Sequence, residues 1–237
     1  MQSTEPGSPA STTSHDSTGA SFPGAPGHSG RTPPTPATSF DGRPATLRPI
    51  FQQLSTSAKY AYRRNDYIKR FAWEWVQRTL IRFSPKRAHA WRRFWLRLFG
   101  TKIPSTSGTK ATTIVVHPWL LTMGEHCWLA ERVTIYNLGP IHIGDHTVIS
   151  QDSYICSGTH DYRKPNLPIE FTTVRIGSGV WICAGAFVGP SVTIGDNSVI
   201  GARAVVMSDI APNMVAAGNP AKALKRRKME WEDGTVT

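Results

Sequence analysis

The chain has 237 residues, 39% of them apolar, and a formal charge of +11 at pH 7, which leaves room for one domain with appendages. No run of 18 apolar residues is present, so a transmembrane helix is not expected, and residues 1–39 lack the apolar stretch of a signal peptide. The three cysteines, Cys127, Cys156 and Cys183, form no CxxC pair, which argues against a disulfide scaffold or a cysteine zinc site and for reduced thiols.

Residues 1–45 are dominated by Ser, Thr, Pro and Gly, with almost no large apolar residue before Phe40. Such a segment buries too little surface to offset chain entropy and is predicted to be a disordered tail. A basic, aromatic helical segment follows over 46–102. Between Lys59 and Lys102 stand 13 basic residues and two acidic ones, Asp66 and Glu74, so this segment holds the whole net charge. Ser84-Pro85 predicts a break between two helices, with Pro85 at the first position of the second. There Ala90, Trp91, Phe94, Trp95 and Leu98 share one face and Arg92, Arg93 and Arg97 occupy the others, before Gly100 ends the helix. Residues 56–99 are thus expected to lie on an anionic membrane surface or to cap the end of the next domain. A nucleic-acid patch is the less favoured reading, because the aromatics follow helical spacing with bases flanking them.

From Met123 the period becomes six. Met123, Leu129 and Ile135 are followed, after a step of eight, by Ile143, Ile149 and Ile155; after a gap, Ile176, Ile182, Val188, Ile194, Ile200 and Val206 keep the register. The residue after each of the last nine is small, except Met207, and the fourth residue after is small or β-branched. Neither a helix nor an ordinary strand gives this period. Three six-residue strands make one triangular coil, with the aliphatic residue inside and like residues stacked in columns at the ~4.8 Å inter-strand spacing.

These residues resemble the hexapeptide-repeat acyltransferases, whose unit is an aliphatic residue, Gly, two variable positions, a small residue and one more. Val174 to Ala221 is similar to the closing coils of the galactoside and maltose acetyltransferases. HPWLLTMGEH from His117, IYNLGPIHIGDHTVISQDSYICSGTHDY to Tyr162, and RRFWLRLFGTKI (Arg92 to Ile103) resemble the colanic-acid-biosynthesis type. The likeness covers about 46–228. It implies a mainly β fold: a left-handed parallel β-helix over 103–221, an N-terminal helical segment, and a short C-terminal basic helix opening a tail at 222–237. It further implies a cytoplasmic homotrimer that moves an acetyl group from acetyl-CoA to a sugar hydroxyl of an exopolysaccharide precursor or similar glycan, without a metal.

His160 closes the hexad that starts at Ile155, where the register stops and a loop leaves the coil. An alcohol must lose its proton as it attacks a thioester, and histidine is suited to take it near neutral pH. The match in SGTHDY implies that His160 is that base; a merely exposed loop histidine is the plain alternative. By the same resemblance a backbone N–H near Ala184 would be the oxyanion donor, Trp181 would line the CoA channel, and Ala202 would contact the pantetheine arm. Lys222 and Lys225, with Arg226 beside them, would bind CoA phosphates. Asp161 is a candidate to orient His160 or bind the acceptor. Asn137, at the eight-residue step, is a candidate either to bind the acceptor or to form the turn. Met207-Ser208-Asp209 departs from the Thr-Lys-Asp of many relatives, so a phosphate-binding lysine is missing there.

Two other classes compete. A non-catalytic β-helix scaffold needs neither SGTHDY nor Trp181. A γ-type carbonic anhydrase needs three histidines in its later coils, whereas none follows His160, and His142 and His146 are four apart.

Overall fold

The computed structural model describes residues 64–230 together with Gln52, Leu54, Glu232, Thr235 and Val236. The tail expected over 1–45 lies outside the described residues, as does the start of the helical segment.

Helix α1 (Arg64–Val76) runs on through a π-turn at Gln77–Ile81, and α2 (His89–Leu98) follows a short link. Pro85 therefore sits in that link rather than at the first helical position. Short strands then wind into a parallel β-helix with three faces. The first face stacks Leu121–Met123, Ile141–Ile143, Val174–Ile176 and Thr193–Ile194. The second runs from Gly108–Thr109 through Trp128–Leu129, Val148–Ile149, Trp181–Ile182 and Val199–Ile200 to Met214–Gly218 and Ala221–Arg226. The third stacks Ile114–Val115, Thr134–Tyr136, Tyr154–Cys156, Phe187–Val188 and Val205–Val206.

The six-residue period fills the interior. Met123, Ile143, Ile176 and Ile194 form the inward column of the first face; Leu129, Ile149, Ile182 and Ile200 that of the second; Ile135, Ile155, Val188 and Val206 that of the third. All are at most 3% exposed. The small residues serve two purposes. Gly144 lies where an added Cβ would come within 2.6 Å of the Gly177 and Ser178 backbone, so the following coil leaves no room for a side chain there. Four positions after the aliphatic residue, Thr147, Ser153 and Ser198 are buried, and each hydroxyl donates to a carbonyl of the following coil, at 2.8, 3.0 and 3.0 Å. The turns between the first and second faces place His126, His146, Gly179 and Asn197 in the left-handed region, φ 54–66°.

The helices close the N-terminal edge of the third face. Trp73 Nε1 donates to the Val115 carbonyl at 2.6 Å, and Gln77 Oε1 accepts from the Val115 N–H at 2.7 Å, so one helix satisfies both exposed backbone groups of the edge strand. Arg92, placed by the sequence on a polar side of α2, is fully buried. Its guanidinium donates to the carbonyls of Thr109, Pro85 and Lys86 at 2.8–2.9 Å, to Ser84 Oγ and to His89 Nδ1. Conversely, the apolar side that carries Trp91, Phe94 and Leu98 is exposed.

The C-terminal basic run is a strand, not the helix expected. Gly218, at φ +102°, turns the chain back, and Ala221–Arg226 pairs antiparallel with Met214–Gly218, covering the edge of the second face. The edge strand's open backbone groups supply partners that a helix on its own would have to find internally.

Candidate active site

Both interruptions of the period fall at the corner between the third and first faces, and they are built against each other. The eight-residue step leaves Asn137 to Pro140 as a bulge; the second interruption extrudes a hairpin in which Gly158–His160 pairs antiparallel with Ile169–Phe171. Ser157 Oγ donates to the Gly139 carbonyl at 2.8 Å and accepts from the Gly139 N–H at 2.9 Å. Thr172 N–H closes the hairpin base on the Ser157 carbonyl at 2.8 Å. A Cβ on Gly139 would lie 2.0 Å from the Thr172 carbonyl oxygen, so glycine is required there by the closeness of the two strands.

Asn137 is buried and turned into the coil. Its Oδ1 accepts from the His117 N–H at 2.8 Å and its Nδ2 donates to the His117 carbonyl at 2.6 Å. His117 Nδ1 donates in return to the Asn137 carbonyl at 2.9 Å, and burial pushes the His117 imidazole pKa down. These contacts tie the bulge to the backbone of the preceding coil.

His160 ends the first hairpin strand with its ring exposed. Nδ1 lies 2.7 Å from the Leu167 carbonyl, which can only accept; Nδ1 therefore carries a proton, and in the neutral tautomer the lone pair is at Nε2. Leu167 holds that carbonyl in place from the left-handed region, φ +43°. Asp161 does not orient the ring in this arrangement. Its carboxylate is buried and accepts from Arg163 Nε at 2.9 Å and from Lys164 Nζ at 3.2 Å. The Arg163 guanidinium above all, with the Arg163 N–H and Lys164, holds the Asp161 pKa at about 2. The sequence singles out His160 as a candidate but not Leu167, whose contribution is a carbonyl and leaves no side-chain signature. Ser157 and Thr172 were equally unreadable, because the backbone groups they bind lie 18 and 15 residues away in sequence.

The residues singled out for the donor side gather elsewhere, on the second face and its corner with the third. Trp181 is about half exposed, and its Nε1 donates to Ser150 Oγ at 3.0 Å. Trp181 pairs with Val199, Val199 with Val215, and Val215 with Lys225, so Trp181 and Lys225 share one outward register column. Lys222 pairs with Ala217, whose Cβ lies 2.8 Å from the Cβ position of Gly201, beside Ala202. Ala184 and Ala202 occupy the same corner position one coil apart, each preceding a left-handed residue (Gly185, φ +70°; Arg203, φ +57°). Among the described residues neither alanine's N–H makes a hydrogen bond. All three cysteines are free thiols, and burial raises the pKa of Cys127 and Cys183, which keeps those two protonated.

The comparisons with known proteins agree on one family. Residues 173–207 match the bacterial transferase hexapeptide (six repeats). The chain is 40% identical over 171 residues to the protein named as the colanic acid biosynthesis acetyltransferase WcaF of Escherichia coli (strain K12), covering 72% of this chain and 94% of that protein. The chain belongs to the hexapeptide-repeat acetyltransferases. The acetyltransferase also aligns with the crystal structure of a maltose O-acetyltransferase from Clostridium difficile 630, with a TM-score of 0.66, 28% identity, and 74% and 95% of the two chains covered. A hexapeptide-repeat acetyltransferase from Vibrio cholerae, solved with acetyl coenzyme A, shares the fold, with a TM-score of 0.65, 23% identity, and 74% and 96% covered. The parallel β-helix of this acetyltransferase is thus the fold that its repeat predicts.

Proposed function

We propose that this acetyltransferase moves an acetyl group from acetyl-CoA to a sugar hydroxyl of an exopolysaccharide precursor or similar glycan, with His160 as general base. The observation that carries the reading is the contact between His160 Nδ1 and the Leu167 carbonyl, which leaves Nε2 as the exposed acceptor. In this reading Nε2 takes the hydroxyl proton as the sugar oxygen attacks the thioester carbonyl. His160, now imidazolium, returns that proton to the departing thiolate, so no acyl-enzyme forms. General-base assistance of this kind contributes roughly 10²–10⁴ in rate. The Ala184 N–H is open to stabilise the oxyanion, a role worth about 10²–10³ where single donors have been removed. Ala202, Trp181, Lys222 and Lys225 would receive the pantetheine arm and phosphates of acetyl-CoA. Asn137 would support the acceptor side from behind, and Asp161 would shape the hairpin beside the sugar.

The base and the donor groups stand at different corners of one coil. This supports a homotrimer in which His160 of one subunit meets the second face of the next. A cytoplasmic placement, peripheral at the inner membrane face, accords with the basic helical segment. The test is thiol release from acetyl-CoA against a panel of nucleotide sugars and oligosaccharides. Release with one acceptor class, abolished in His160→Ala, supports the assignment; unchanged release in that variant overturns the role of His160.

A further inference from the structure

Both helices carry apolar residues on two sides, and only one side of each is used by the fold. On α1, Trp73 and Val76 are buried against the coil, while Tyr67, Ile68, Phe71 and Trp75 form the opposite stripe at 51–74% exposure. On α2, Leu96 and Arg92 are buried, while Trp91, Phe94 and Leu98 face outward. Trp91 Nε1 donates to the Leu80 carbonyl at 3.0 Å and so joins the second stripe to the end of the first helix. Between them, in the link, Phe83 is 83% exposed. Large apolar side chains exposed in such number on neighbouring elements mark a binding surface.

Charge decides what that partner is. Arg82, Lys86 and Arg87 surround Phe83 in sequence, are exposed, and make no salt bridge among the described residues. Of the two acids between Lys59 and Lys102, Glu74 is paired with Arg78 at 2.6 Å. Two copies meeting through this face would bring two strongly basic segments together, which disfavours self-association. No helix among the described residues is long and apolar enough to cross a membrane. Aromatic side chains rimmed by cations are matched by the interfacial layer of an anionic bilayer, where rings enter the headgroup boundary and cations meet lipid phosphates.

We infer that the outward stripes of α1 and α2, with Phe83 between them, insert into the surface of an anionic lipid bilayer. The inference rests on the peripheral placement proposed above and is independent of the catalytic assignment. Trp75 is the internal reporter. The full chain is floated with phosphatidylglycerol–phosphatidylcholine vesicles and with phosphatidylcholine vesicles, at low and high salt, with brominated acyl chains as tryptophan quenchers. The expected result is flotation with the anionic vesicles only and tryptophan quenching that falls in Trp75→Phe. Binding should weaken about tenfold or more in Phe71→Ser/Phe83→Ser and in Lys86→Glu/Arg87→Glu, with thermal stability and acetyl transfer to a soluble acceptor unchanged. Flotation that salt removes, with no quenching and no effect of the serine variant, overturns insertion while leaving peripheral attachment. No flotation at low salt overturns both. Displacement from vesicles by an oligonucleotide, or concentration-dependent self-association lost in the serine variant, would reassign the face and overturn the inference. None of these outcomes bears on whether His160 is the base.

Discussion

His160 and Leu167 meet across the extruded hairpin, the imidazole Nδ1 donating to the Leu167 carbonyl at 2.7 Å. The ring is thus oriented by a backbone group rather than by a carboxylate. Orientation therefore depends on backbone conformation. Leu167 holds its carbonyl from φ +43°, a region that glycine enters freely and proline cannot. Leu167→Gly should retain most acetyl-transfer activity. Leu167→Pro should lower kcat by about tenfold or more with KM for acetyl-CoA little changed, because a misplaced base is felt in the chemical step. Steady-state kinetics of the two variants make the comparison.

Asp161 predicts a pH response that is restricted to strong acid. Its folded pKa, about 2, lies below the ordinary 3.8, so its contribution is complete above the ordinary value and is lost as pH falls towards 2. Hairpin order should therefore be constant from neutral pH to about pH 4 and decline below that. Asp161→Asn should loosen the hairpin above about pH 4 and remove its acid response, because the amide offers Arg163 and Lys164 one neutral oxygen in place of a charged carboxylate. Amide hydrogen exchange across 161–168 follows both effects.

Gly139 is a steric test of the contact between the bulge and the hairpin. An added Cβ would lie 2.0 Å from the Thr172 carbonyl oxygen, a backbone atom that cannot rotate away. Gly139→Ala should cost about 1–3 kcal/mol in stability. It should also reduce activity, because displacing Thr172 moves the strand paired with His160. Gly201→Ala would instead press on the Ala217 Cβ at 2.8 Å and strain the donor side. A matched pair of denaturation curves and of KM values for acetyl-CoA separates the two.

Arg92 carries the attachment of the link and α2 to the first coil. Arg92→Met keeps much of the volume but leaves the carbonyls of Thr109, Pro85 and Lys86 without their donor inside the protein. Of these only the Thr109 contact is buried, and water can reach the Pro85 and Lys86 carbonyls, so the loss should be about 1–3 kcal/mol. Thermal unfolding measures the loss. Arg92→Lys should recover little, since one ammonium cannot span the positions that the planar guanidinium reaches.

The repeat was legible because each hexad repeats the same local problem: an aliphatic residue inside and a small one beside the following coil. Ile143, Ile149, Ile155 and their successors could be placed from spacing alone, and His160 stood out because the spacing ends there. The helical segment was legible as two helices but not in its orientation. Trp91, Phe94 and Leu98 follow the spacing of a face that could be buried, yet Arg92 and Leu96 take the coil. Helical periodicity separates the sides of a helix without saying which side finds a partner. The terminal strand Ala221–Arg226 was misread for a related reason: a basic run is compatible with either structure, and here an open sheet edge chose the strand.

By itself the sequence determined the coil, its inward columns and the histidine at the point where the coil opens, since these follow from one period repeated along the chain. Only the tertiary structure decided that the Leu167 carbonyl orients His160, that Asn137 bonds the His117 backbone, and that Trp181 and Lys225 share one column. It also decided that the aromatic stripes of α1 and α2 face outward. Each of these is a meeting of groups distant along the chain or made through backbone atoms, and neither kind of contact constrains side-chain identity strongly enough to be read in advance.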